Sequence, residues 1–165
     1  MRLETEDVIR TYQGDLFRLA FSVCKNAADA EDILQDVFIS YHSSKKQFQS
    51  ERHLKAWLMK VVVNRAKNVN KSFWKRNFVP IEEYMETLVF ESEETVTLFE
   101  EVMKLPDKYR VVIHLFYYEE YSVAEIADIL GISQNNVKVR LNRARNKLRE
   151  NMQKEGEYHG YEGTI

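Results

Sequence analysis

The chain has little cysteine, proline or glycine: one, two and five residues in 165. A lone Cys24 excludes an internal disulfide, and its neighbours Phe21, Ser22 and Val23 place it as a buried thiol at a helix end. Scarce Pro and Gly beside abundant helix formers favour an all-α protein. No apolar run approaches the roughly 18 residues of a membrane span, so direct membrane insertion is not expected. The opening MRLETEDVIR is acidic and lacks the apolar stretch of a signal peptide, which points to a cytoplasmic protein. His42, His53, His114 and His159 are scattered, with no H-x-x-x-H or C-x-x-C pairing, so no metal site is expected. There is no Gly-rich phosphate loop and no nucleophile elbow, and neither a cofactor nor catalysis is expected.

What is present is charge, unevenly placed. The net charge of −2 hides blocks of one sign. From Lys45 to Arg76 the bases Lys45, Lys46, Arg52, Lys55, Lys60, Arg65, Lys67, Lys71, Lys75 and Arg76 face the single acid Glu51. From Glu82 to Glu101 every charged residue is an acid. From Ser133 to Arg149 no acid occurs. Two basic blocks with an acidic spacer suggest two contacts on one polyanion.

Apolar periodicity sets the organisation. Thr5 to about Val23 reads as a helix with Val8, Ile9, Tyr12, Leu16, Leu19, Ala20 and Val23 inward. A turn at Lys25–Ala28 precedes a second helix, about Asp29 to Tyr41, with Ala30, Ile33, Leu34, Val37, Phe38 and Tyr41 on one stripe. A polar loop from Ser43 to Ser50 leads to a third helix, about Arg52 to Phe73, with Leu54, Trp57, Leu58, Val61 and Val62 inward. These helices form a first domain, residues 1–76. Residues 77–94 read as an acidic linker and 95–153 as a second small helical domain, followed by a flexible tail, 154–165. In the second domain one helix covers about Thr95 to Leu105. Another starts near Pro106 and ends near Glu119, supplying Val111, Val112, Leu115 and Phe116 to the packing.

The stretch YSVAEIADILGISQNNVKVRLNRARNKL, Tyr121 to Leu148, carries the strongest signal. Ser122 and Glu125 form a capping box. Gly131 sits where a helix end wants a left-handed residue. Ser133 can cap a following helix in which Val137, Leu141, Ala144 and Leu148 face inward. A short helix, a Gly turn and a basic amphipathic helix is how a helix-turn-helix offers a recognition helix to the DNA major groove.

Several segments together resemble the extracytoplasmic-function sigma factors of bacterial RNA polymerase. Asp29-Ala30-Glu31-Asp32-Ile33-Leu34-Gln35-Asp36-Val37-Phe38 is similar to the family's signature in region 2. Leu54-Lys55-Ala56-Trp57-Leu58-Met59-Lys60-Val61-Val62-Val63-Asn64 resembles its W-L-x-x-[IV]-x-x-N segment. Leu105-Pro106-Asp107-Lys108-Tyr109-Arg110 resembles the L-P-x-x-x-R opening of region 4, and the helix-turn-helix follows in its place. The resemblance implies a sigma factor that binds core RNA polymerase (the β′ coiled coil and β), recognises −10 and −35 promoter DNA, initiates transcription and answers to an anti-sigma factor.

It also implies residue roles. Glu31, Asp32, Gln35 and Asp36 would contact core polymerase. Lys55, Lys60, Asn64, Lys67, Asn68 and Lys71 would bind the −10 element, beside a loop from Lys45 to Arg52 that shapes the base pocket. Phe48, Phe73 and Trp74 are possible base platforms, with Trp57 in the core. Gln134, Asn135, Asn136, Lys138, Arg140, Asn142 and Arg143 would bind the −35 element, while Arg145 is partly structural. Asn135-Asn136 stands where Gly-Thr is usual and Val139 where Ser is usual, so no promoter consensus carries over. The alternative is a stand-alone helix-turn-helix regulator, which leaves the second basic block and the acidic motif unexplained.

Overall fold

The computed structural model describes residues 1–73 and 93–159, with side chains for 1–68 and 97–154. The acidic stretch from residue 77 to 92 and the side chains of Lys71, Phe73 and Trp74 lie outside the described residues. Among those described there are seven α-helices, one turn of π-helix and no strand. The chain divides into two compact units, one holding α1 to α3 and one built on the helices from Glu93 onward.

In the first unit, α1 (Thr5–Cys24), α2 (Ala27–Ser43) and α3 (Glu51–Phe73) pack pairwise. Val8, Leu16 and Leu19 of α1 meet Ala30, Ile33 and Val37 of α2 and Leu54, Leu58, Met59 and Val62 of α3 in one core. Each fully buried large aliphatic there contributes about 1.5–3 kcal/mol. α2 starts two residues before the expected Asp29, because Asn26 Oδ1 accepts from the Asp29 amide at 3.0 Å and caps the first turn. Lys25 adopts φ 53° at the end of α1, where its amide closes on the Phe21 carbonyl.

One polar bridge ties α1 to α3. Lys55 Nζ lies 2.8 Å from Asp15 Oδ2, and Arg18 pairs with the same carboxylate. Burial alone would raise the Asp15 pKa, but the Lys55 and Arg18 cations outweigh it and hold the group below its ordinary 3.8. A depressed carboxylate stabilises the fold above its unfolded pKa, and that contribution is lost as pH falls through the folded value. Unfolding of the first unit should therefore become easier as pH drops below 3.8, and Asp15→Asn should flatten that dependence while lowering stability at pH 7. Denaturant titrations at pH 7 and pH 3 check both; an equally steep pH dependence in the variant would contradict it.

In the second unit, α4 (Glu93–Met103) and α5 (Asp107–Ile113) pack on α7 (Gln134–His159); α6 (Val123–Leu130) comes before α7 in the chain. Val102, Met103, Leu105, Val112, Ile113 and Leu115 share a core with Val137, Leu141, Ala144 and Leu148. α4 begins within the stretch expected as linker. α5 does not run on as α-helix to Glu119: it ends at Ile113 and passes into the π turn His114–Tyr118, closed by the Glu119 amide on the His114 carbonyl. α7 continues to His159, beyond Lys154 where a flexible tail is expected. Arg110 is fully buried, donating to the Leu105 carbonyl at 2.6 Å and pairing with Asp107 across the Pro106 turn.

Candidate polymerase and promoter interfaces

α2 shows how sequence spacing becomes a surface. Ala30, Ile33, Leu34 and Val37 are buried, so the helix turns Glu31, Asp32, Gln35 and Asp36 outward together, and all four are exposed. Among the described residues none of the four side chains has an intramolecular hydrogen bond or ion pair. Burial raises the pKa of neighbouring Asp29, and the Asp32 carboxylate adds to it. This is an uncompensated acidic face with a Gln amide within it. Ile39, one turn past Gln35, is 63% exposed and extends the face with an apolar residue that the sequence reading did not single out.

On α3, Lys60, Asn64, Lys67 and Lys71 follow one another at spacings of four, three and four, with Asn68 beside them. Asn64, Lys67 and Asn68 are exposed and Lys60 is half-buried. Lys55 does not join this row. Five residues before Lys60, it lies on the far side of the helix, where it serves the Asp15 bridge. Phe48 is buried rather than offered as a platform: its ring lies 5.6 Å from Trp57 and 6.3 Å from Tyr41. Trp57 is half-buried in the same cluster.

The helix-turn-helix is built from local hydrogen bonds. The Ser122 amide donates to Glu125 Oε1 and the Glu125 amide to Ser122 Oγ, each at 3.1 Å, which closes the capping box before α6. The Ile132 amide returns to the Ala127 carbonyl, and Gly131 takes φ 67°, a conformation that costs a side chain about 1–2 kcal/mol. Ser133 Oγ accepts from the Asn136 amide at 3.0 Å and starts α7.

The buried stripe of α7 leaves two flanks of different chemistry. Gln134, Asn135, Lys138 and Asn142 lie on one, all exposed: amides with a single ammonium. Asn136, Arg140, Arg143 and Lys147 lie on the other. Asn136 Oδ1 accepts from Arg140 Nε at 3.2 Å, which ties these two half-buried side chains to each other. Arg145 is withdrawn from both flanks: its Nε donates to Tyr117 Oη at 2.6 Å, and its guanidinium stands over the Phe116 and Tyr117 rings of the π turn.

With this geometry in place, comparison with known proteins defines the class. Residues 8–76 match Sigma-70 region 2, and residues 97–148 match Sigma-70, region 4. The chain is 33% identical over 150 residues to the RNA polymerase sigma factor SigV of Bacillus subtilis, covering 89% of this chain and 90% of that one. It is 29% identical over 163 residues to the ECF RNA polymerase sigma factor SigW of the same species, covering 88% and 87%. Two solved structures share the fold. CnrH in complex with the cytosolic domain of CnrY has a TM-score of 0.65 at 24% identity, covering 90% of this chain and 87% of that one. RpoE in complex with the anti-sigma factor NepR from Bartonella quintana has 0.66 at 22%, covering 90% and 96%. The chain belongs to the sigma-70 family of RNA polymerase sigma factors, in its extracytoplasmic-function group. It is a transcription initiation factor, and matches to both regions in order disfavour the stand-alone regulator. Among the described residues no helix is long and apolar enough to cross a membrane.

Proposed function

We propose that the outward face of α2, through Glu31, Asp32, Gln35 and Asp36, is the contact with core RNA polymerase. The observation that carries this is four exposed side chains with no intramolecular partner on one face of the region 2 unit. Acids around an amide suit a basic partner surface such as the β′ coiled coil, where they supply orientation and association rate. The row Lys60, Asn64, Lys67, Asn68 and Lys71 then follows the −10 strand, the lysines on phosphates and Asn64 against a base edge. On α7 the amide flank of Gln134, Asn135, Lys138 and Asn142 reads −35 bases, and Asn136, Arg140 and Arg143 hold the phosphate backbone. The protein works in the cytoplasm without catalytic chemistry of its own. An anti-sigma factor holds it inactive, a reading supported by the RpoE–NepR complex of the same fold.

Run-off transcription tests the whole reading. Purified core polymerase with genomic DNA of the source organism should give new discrete transcripts only when this protein is added. No new initiation from folded protein that still binds DNA would reject it. Asn64→Ala should weaken promoter opening by about tenfold, the scale of one good base contact. Permanganate reactivity of unpaired thymines reads that loss, while core binding should be unchanged. Lost core binding with a normal fold would contradict the role given to Asn64.

A further inference from the structure

Residues 1–3 lie ahead of the Glu4 cap of α1, yet their polar contacts go to one place. The Met1 amino group donates to the Phe48 carbonyl at 2.6 Å, and the Phe48 amide donates back to the Met1 carbonyl at 2.9 Å. The Arg2 guanidinium lies 4.4 Å over the Tyr41 ring and spans two carbonyls, Nη2 to Tyr41 at 2.7 Å and Nη1 to Lys46 at 3.2 Å. Tyr41 Oη donates to the Leu3 carbonyl at 2.6 Å. These bonds bridge sequence separations of 38 to 47 residues and converge on the last turn of α2 and the loop that joins it to α3.

That loop has no regular structure: within it the Lys46 amide donates to Ser44 Oγ at 3.1 Å, and the residues ahead of α1 hold it from outside. The Phe48 ring anchors it in the Tyr41–Trp57 cluster. The residues on either side of Phe48 then point outward: Gln47 and Gln49 are exposed, as are Lys45 and Lys46. A Gln amide both donates to and accepts from a base edge, but it discriminates bases only when its backbone is fixed. Arg2 fixes it at the carbonyls of Tyr41 and Lys46.

We propose that residues 1–3 form a strap, keyed by Arg2, that holds the α2–α3 loop in the shape with which Gln47 and Gln49 read the −10 strand. Arg2 is a positioning residue: it acts through the loop and touches no DNA. The proposal rests on the reading of the first unit as the −10 domain. Its energetic logic is preorganisation, since a loop already held in its binding shape loses less freedom on meeting the strand. Lysine does not replace Arg2, because an ammonium neither stacks on Tyr41 in the same way nor offers a planar fork to two carbonyls.

The test uses the full chain with core polymerase, on a promoter found by run-off transcription and on single-base variants of its −10 and −35 elements. Arg2→Ala should compress discrimination among the −10 variants by about tenfold, the size of one good base contact. Discrimination among −35 variants and core binding should stay as in the parent, both read at a temperature below the melting transition of either protein. Arg2→Lys should resemble Arg2→Ala. In a background carrying both Gln47→Ala and Gln49→Ala, Arg2→Ala should add little, because coupled residues are not additive. A uniform loss on every template, full rescue by lysine, unchanged −10 discrimination or simple additivity with the Gln47→Ala, Gln49→Ala pair would each overturn the proposal. A parent protein that directs no initiation would instead overturn the reading on which it rests.

Discussion

Reversing two carboxylates on α2, Asp32→Lys with Asp36→Lys, should cut affinity for core polymerase by roughly 100- to 1,000-fold. Like charges set against each other across an interface cost several kcal/mol, and each ~1.4 kcal/mol is tenfold in Kd. Both side chains are exposed and neither is paired among the described residues, so the fold has nothing to lose there. Surface changes of this kind shift stability by about 0.5 kcal/mol or less. Removal of Asp32 also relieves the carboxylate that adds to the raised pKa of Asp29. The expected result is a protein with parental helicity and melting that no longer supports run-off transcription at limiting concentration. Titration of labelled protein into core polymerase measures it. Parental affinity in the double variant would remove α2 from the polymerase contact.

The second large effect is structural. Arg110→Ala should destabilise the second unit by about 3–5 kcal/mol. A charge-assisted hydrogen bond to a carbonyl contributes about 1.5–3 kcal/mol, and the void left by a large buried side chain adds a cavity term. Arg110 is 1% exposed and holds the Leu105 carbonyl, so the Pro106 turn that orients α5 loses its internal clamp. Arg110→Met separates the two causes: it keeps most of the volume and should recover about half of the loss. Denaturant unfolding followed by circular dichroism reads both variants. A change below about 1 kcal/mol for Arg110→Ala would mean that the guanidinium contributes little.

These two predictions differ in how far the sequence anticipates them. The α2 face is legible from spacing alone: burying Ala30, Ile33, Leu34 and Val37 leaves Glu31, Asp32, Gln35 and Asp36 no direction but outward. Arg110 stands in a recognisable motif, but periodicity gives no reason to bury a guanidinium. The reason is local and three-dimensional, a carbonyl and a carboxylate brought to its fork by the Pro106 turn. Element ends behave similarly. The Ser122–Glu125 box marks the start of α6 in the sequence, whereas Asn26 reads as turn in the sequence and is the cap of α2 in the fold.

The amino-acid order by itself determined the all-helical class, the inward stripes, the helix-turn-helix and the faces left to solvent, because these follow from helical periodicity and from capping groups a few residues apart. Tertiary structure decided which long polar side chains remain available. Lys55 is taken by Asp15, Arg145 by the aromatic π turn and Arg2 by the loop after α2. A flexible cation reaches several ångströms in any direction, and its partner lies on another element. Only the packed arrangement settles whether that charge faces a carboxylate of its own chain or a phosphate of DNA.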